Sequence, residues 1–220
     1  MKKKLIVPAG IVMVGFVALV ASLAAAETAD SKPGQQELKL PHGWTEEDMK
    51  AAMEAGTPGK MHEHLAKSVG QWHGKNTMWM VPGAEPTTSD CTATVTSLMD
   101  GRYTKCEWAG EMPGMGPYQG FGIYGYDNVA QKFVCLWIDN HSTGFMNGEG
   151  EMSSDGKTIT WDFTFNCPIT RKPMAMREVE TITGPNTKTL EMTGTDPKSG
   201  EKFKMMRVEL TKKEDAQRGG

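Results

Sequence analysis

From Trp72 to Leu210 the chain reads as short runs rich in Thr, Val, Ile, Phe, Tyr and Trp, each closed by a turn signal. That pattern predicts strands near 72–80, 90–98, 102–109, 118–126, 132–139, 143–151, 157–165, 174–183, 188–194 and 202–210. The breaks between them carry Pro-Gly, Asp-Gly, Asp-Asn or Gly-Pro pairs, and Asp100-Gly101 and Asp155-Gly156 are tight-hairpin signals. Consecutive strands on short links imply an antiparallel meander. A sheet of about ten strands curls, and closing it into a barrel removes its exposed edges.

Ahead of the strands the period is helical. Thr45 is an N-cap, Glu46, Glu47 and Asp48 suit the positive helix end, and Gly56 stops the helix. Thr57-Pro58 is the expected start of a second helix, with Pro at its first position. Met61, Leu65 and Val69 then form one stripe, and Gly70 ends it. The helical segment, 45–69, is expected to lie outside the barrel, 70–212, or across one end of it.

The first residues have another character. Met1-Lys2-Lys3-Lys4 is followed by an apolar run, Leu5 to Leu23, and by Ala24-Ala25-Ala26. A basic start, an apolar run and a small-residue site predict a secretory signal over 1–26, cleaved after Ala26. The alternative is an uncleaved anchor, since about 19 apolar residues reach across a bilayer. Residues 27–44 read as a flexible linker and 213–220 as a disordered tail. The expected location is periplasmic or secreted.

Composition narrows the partners. The formal net charge is −3 with both signs interspersed, so no basic stripe points to nucleic acid. No stable membrane insertion is expected after signal cleavage. The four cysteines, Cys91, Cys106, Cys135 and Cys167, all lie beyond the signal, where disulfides are permitted. A hairpin at Asp100-Gly101 sets Cys106 opposite Val95 and about 13 Å from Cys91. That is beyond the roughly 7 Å a disulfide spans. The local 91–106 pair is therefore disfavoured and the connectivity stays open.

Gly70-Gln71-Trp72 resembles the G-x-W start of lipocalin-like barrels, and Gly74 extends it to the G-x-W-x-G of nitrobindin-type barrels. Four longer blocks, "LAKSVGQWHG" (65–74), "GYDNVAQKFVCLWIDNHSTG" (125–144), "MREVETI" (176–182) and "KFKMMRVEL" (202–210), are similar to the bacterial DUF1579 family. The resemblance covers about 65–211 and implies a lipocalin-like barrel with no agreed activity. It also implies that Gly70 and Trp72 are structural, and that a basic residue on the last strand, here Arg207, covers Trp72. Haem enters only through the nitrobindin-like motif. Lys75-Asn76 replace its glycine-rich continuation, and no His follows His141, so no cofactor is expected.

The barrel interior is the default ligand site. Trp137 and Asp139 share a strand face. With Tyr126, Trp161, Met146 and Arg177 they are the residues expected to meet a ligand, a small apolar molecule. Arg177 or the Tyr126 hydroxyl is the expected partner of Asp139 if it faces inward. Otherwise Asp139 opens the Asp-Asn-His turn and caps its amides. An Asp139/His141 acid–base pair is the enzymatic alternative, and a barrel filled by its own side chains is the structural one. G-x-S-x-G is absent, so no catalytic residue is assigned. His62 and His64 point to different helix faces, while His73 and His141 stand apart, so no metal site is expected.

Overall fold

A computed structural model describes residues 40–214; the predicted signal peptide and most of the linker and tail lie outside the described residues. By its contacts the chain divides into 1–44 and 45–220. Of the first unit, the described residues form a turn closed by the Trp44 N–H on the Pro41 carbonyl at 3.0 Å.

The second unit begins with helix α1 (Glu46–Ala55). Thr45 and Asp48 cap it reciprocally: the Asp48 N–H donates to Thr45 Oγ1 at 3.1 Å and the Thr45 N–H to Asp48 Oδ2 at 2.8 Å. Helix α2 (Lys60–Ala66) follows. It starts two residues later than expected, because Gly59 is its N-cap and the Gly59 N–H donates to His62 Nδ1 at 3.1 Å. Thr57 instead closes α1, its hydroxyl donating to the Met53 carbonyl at 2.7 Å. Val69 lies past the helix and packs with a different core cluster from Leu65.

Ten strands follow: β1 (Gly70–Met78), β2 (Thr87–Leu98), β3 (Tyr103–Met112), β4 (Gly116–Asp127), β5 (Lys132–Asp139), β6 (Met146–Met152), β7 (Thr158–Asn166), β8 (Pro173–Gly184), β9 (Thr187–Thr195) and β10 (Lys202–Lys212). Each pairs antiparallel with its neighbour in sequence, and β10 returns to β1, closing the barrel. The β2–β3 hairpin puts Cys106 opposite Val95 and Cys91 opposite Gly110, as the turn predicted. All four cysteines are free.

The helices lie across the barrel end where β1 begins and β10 finishes. The Asn128 amide in the β4–β5 turn donates to the Ala55 and Thr57 carbonyls at 3.0 and 2.8 Å. Arg102 and Lys212 reach the Gly56 and Lys67 carbonyls, each at 3.1 Å. Leu65 enters the core below, and the His62 and His64 rings meet Tyr126 and Phe133 edge-on.

Two buried clusters line opposing walls. One joins Phe133, Cys135, Ile159, Trp161 and Phe163 under Leu65. The other joins Trp72, Cys91, Ala93, Val95, Val208 and Leu210. The large rings lie flat on wall positions that lack a Cβ. Phe163 covers Gly148, Trp161 covers Gly150, and Trp137 covers Gly120 and Gly122. A Cβ added at Gly148 would fall 2.4 Å from the Phe163 ring, and at Gly122 2.7 Å from Trp137.

Trp72 is buried, and its indole N–H donates to the Ser68 carbonyl at 2.8 Å. Arg207 does not cover it. Trp72 pairs with Lys212, whereas Arg207 pairs with Thr77, an odd number of residues away and so on the outer face. There Arg207 bonds Glu191 and Glu209. The cations over the Trp72 ring are Lys188, 5.0 Å from its centre, and Lys212, at 5.7 Å.

Candidate functional site

Rings that lie flat against the wall leave the lumen open. A cavity of about 1000 Å³ occupies it. Period-two alternation sends one face of every strand into this space. A bulge between Lys204 and Met206 lets two successive methionines, Met205 and Met206, border it. Methionine side chains are adaptable linings for an irregular apolar shape.

The floor, under the helices, is polar. Glu178 and Glu180 point inward from β8 and Lys188 from β9. Lys188 Nζ donates to Glu180 Oε1 at 2.8 Å, with side-chain exposures of 13 and 18 %. Burial alone would raise the Glu180 carboxyl, but Lys188, His64 and the Trp161 indole outweigh it and hold it below its ordinary value. That indole N–H is buried and turned toward Glu180 without closing a well-formed hydrogen bond. Lys188 is likewise raised by its carboxylate against the effect of burial. Burial keeps the His64 imidazole below its usual range. Glu178 has no such partner, and burial, with the Glu180 charge beside it, pushes its carboxyl up to about 8.

The mouth lies at the opposite end, among the β3–β4, β5–β6 and β7–β8 turns. The Trp137 indole N–H donates to the Tyr118 hydroxyl at 3.2 Å, and the Tyr118 ring stacks on His141 at 5.7 Å between centres. Burial, then the nearby Asp139 charge, raise the Tyr118 phenol. Asp139 Oδ1 accepts the His141 backbone N–H at 2.9 Å, which is a turn-capping bond. The His141 ring turns instead toward the Pro117 carbonyl, with Nε2 at 3.3 Å.

Of the residues expected to meet a ligand, Trp137, Asp139, Met146 and Trp161 border the cavity. Two do not. Arg177 stands on the outer face, paired bidentately with Asp162 at 2.8 Å, because its neighbours Met176 and Glu178 take the inward positions. Tyr126 sits beneath the helices against His62 and Phe133, its hydroxyl 3.4 Å from the Gln131 amide oxygen. Neither partners Asp139. Sequence reasoning missed Glu178, Glu180 and Lys188. The signal was present: Met176, Glu178 and Glu180 share one strand face, as do Lys188, Leu190 and Met192. Among the described residues no cluster of three or more His, Cys, Asp or Glu side chains is placed to hold a metal. None of their helices is long and apolar enough to cross a membrane.

A family model, "Protein of unknown function (DUF1579)", matches residues 57–212. The chain belongs to the DUF1579 family. The match takes in α2 and all ten strands, so the floor and the mouth both fall inside the family's own region. No curated protein matches the chain. Among solved structures it is similar to the crystal structure of Rv2717c from M. tuberculosis, with a TM-score of 0.55 and 12 % identity over 72 % of this chain and 100 % of that one. At that identity the likeness is one of fold.

Proposed function

We propose that this member of the DUF1579 family is an exported binding protein that holds one small, largely apolar molecule inside its barrel. The supporting observation is the cavity of about 1000 Å³, walled by Trp137, Trp161, Phe163 and several methionines. Ligand pockets of roughly 300–1,000 Å³ with apolar linings and few polar groups are the usual form of small-molecule sites. A barrel filled by its own side chains would leave no such space. The enzymatic alternative draws no support from the mouth, where the His141 ring and the Asp139 carboxylate do not face one another in a hydrogen bond. Export rests on the basic, apolar and Ala-rich start of the sequence, and the mature chain then begins at Glu27.

Titration with N-phenylnaphthylamine, an uncharged apolar fluorophore, tests the reading. Saturable binding with quenching of tryptophan emission is expected, and Met192→Trp, which adds bulk inside the lumen, should weaken it while far-ultraviolet circular dichroism stays unchanged. Absence of saturable binding in the parent protein would overturn the proposal. N-terminal sequencing of exported protein checks the cleavage site.

A further inference from the structure

The floor carries a carboxyl that no hydrogen bond or ion pair among the described residues reaches. Glu178 is 6 % exposed and borders the cavity, projecting inward beside Trp161 and Met192. Among the described residues no hydrogen bond or ion pair reaches its carboxyl, whereas Glu180, two residues on, has Lys188 at 2.8 Å. The titratable and charged groups around Glu178 and its neighbour come from five other elements and from β8 itself. They are His64 on α2, Cys106 on β3, Tyr124 on β4, Cys135 on β5, Lys188 on β9 and Glu180 on β8. Lys188 already donates to Glu180, and burial raises Cys106, Tyr124 and Cys135, keeping them uncharged. A buried polar group without a partner is costly. The lumen is the direction from which a partner can come.

Resting on the cavity reading above, we infer that the Glu178 carboxyl is the polar anchor of the site and hydrogen-bonds an uncharged oxygen group, such as a ketone or ester carbonyl, at the buried end of an otherwise apolar ligand. The alternatives meet obstacles in the same residues. An anionic head group meets the Glu180 charge, and Lys188, the cation beside it, is already engaged. A cationic head group requires Glu178 to ionise next to Glu180, and it strips two further ions of water, a cost that offsets their attraction. A neutral acceptor needs no new charge. Burial, then Glu180, push the Glu178 carboxyl up to about 8, so near neutrality it presents an O–H donor to the lumen. The sign of the pH dependence follows. Affinity is full while the carboxyl keeps its proton and is lost as pH rises through about 8.

The test uses three probes that share one straight chain: decan-2-one, decanoate and decylammonium, each displacing N-phenylnaphthylamine from the purified protein. The ketone is expected to bind tightest at pH 6.5 and to weaken as pH is raised past about 8. Glu178→Gln keeps a donor and cannot ionise, so it should retain ketone binding with the pH dependence gone. Glu178→Met should bind the ketone roughly five- to tenfold more weakly, the effect of one lost hydrogen bond. Decylammonium binding tightest, and tighter at higher pH, overturns the inference in favour of an ionised carboxylate. Equal binding of all three probes, unchanged in Glu178→Met, overturns the anchor but leaves the cavity reading intact. Failure of all three probes, with the fluorophore also failing to bind, overturns both.

Discussion

At the helix-capped end the lumen stops on Glu178, Glu180 and Lys188, whereas at the other end it opens between Trp137, Tyr118 and His141. The floor groups are buried beneath Leu65 and His64, and two of the three are locked together at 2.8 Å. The mouth groups are only partly buried and are held by one long hydrogen bond, a stack and a turn cap. Charge is therefore placed where water is excluded, and aromatic surface where it is not. In a simple apolar container the reverse would be expected, because a buried ion loses hydration that its partner only partly replaces. A buried pair of this kind adds little net stability, whereas the mouth is compatible with ordinary packing.

That contrast sets an order of effects. Lys188→Met should be among the most damaging single changes, because it leaves Glu180 buried and unpaired; a loss of about 3–5 kcal/mol is expected in chemical denaturation. Trp161→Ala, at a fully buried ring of the same end, should cost about 3–5 kcal/mol. If either falls below that of a mouth substitution, the two ends are not as different as their burial says.

Glu178 supplies the next effect, and its sign is opposite to that of an ordinary carboxylate. The folded protein holds the proton up to about 8, whereas the unfolded chain releases it near 4.5, the group's ordinary value. Between those values the folded state binds more protons, so stability falls as pH rises and levels off above about 8. The total fall is on the order of a few kcal/mol. Glu178→Gln should flatten this part of the pH–stability profile in thermal melts. A profile identical to that of the parent would show that the carboxyl is ionised in the native state.

At the mouth, Tyr118→Phe removes the acceptor of the Trp137 N–H, at a cost of about 1 kcal/mol. Arg207→Ala is the smallest change. It removes half-exposed ion pairs on the outer wall, expected to contribute roughly 0–1 kcal/mol. A double-mutant cycle of Arg207→Ala with Trp72→Phe should be additive, since the two side chains stand on opposite faces.

The number, order and direction of the strands were legible because turn pairs punctuate a period-two sequence at nearly every boundary. The capping of α1 by Thr45 was legible for the same local reason, as was the register that separates Cys91 from Cys106. The inward face of β8 was not. In Met176-Arg177-Glu178-Val179-Glu180 the apolar Val179 alternates with two acids, so this short window reads against the Met176 face although Met174, Met176 and Ile182 share it. Lys188 decides otherwise, but only through pairing with a neighbouring strand, which no local window contains. Arg207 was misplaced for a related reason: the resemblance supplied a basic residue on the last strand, and parity relative to Lys212 determines which one can reach Trp72.

The rings lying on bare backbone at Gly120, Gly122, Gly148 and Gly150 have a bearing on how the sheet finds its alignment. A slip by one residue is forbidden by hydrophobic alternation, since it would turn every buried side chain outward. A slip by two preserves that alternation and goes unpunished by it. Slipped one way, Trp161 would fall on Met152; slipped the other, it would meet Gly148 but push Phe163 onto Met146, where a ring and a side chain cannot share the space. The glycines act as keyways: Gly148 and Gly150 together admit Phe163 and Trp161 in one alignment and turn away the slips on either side. In a ten-stranded meander, that lock distinguishes the native pairing from its two-residue slips.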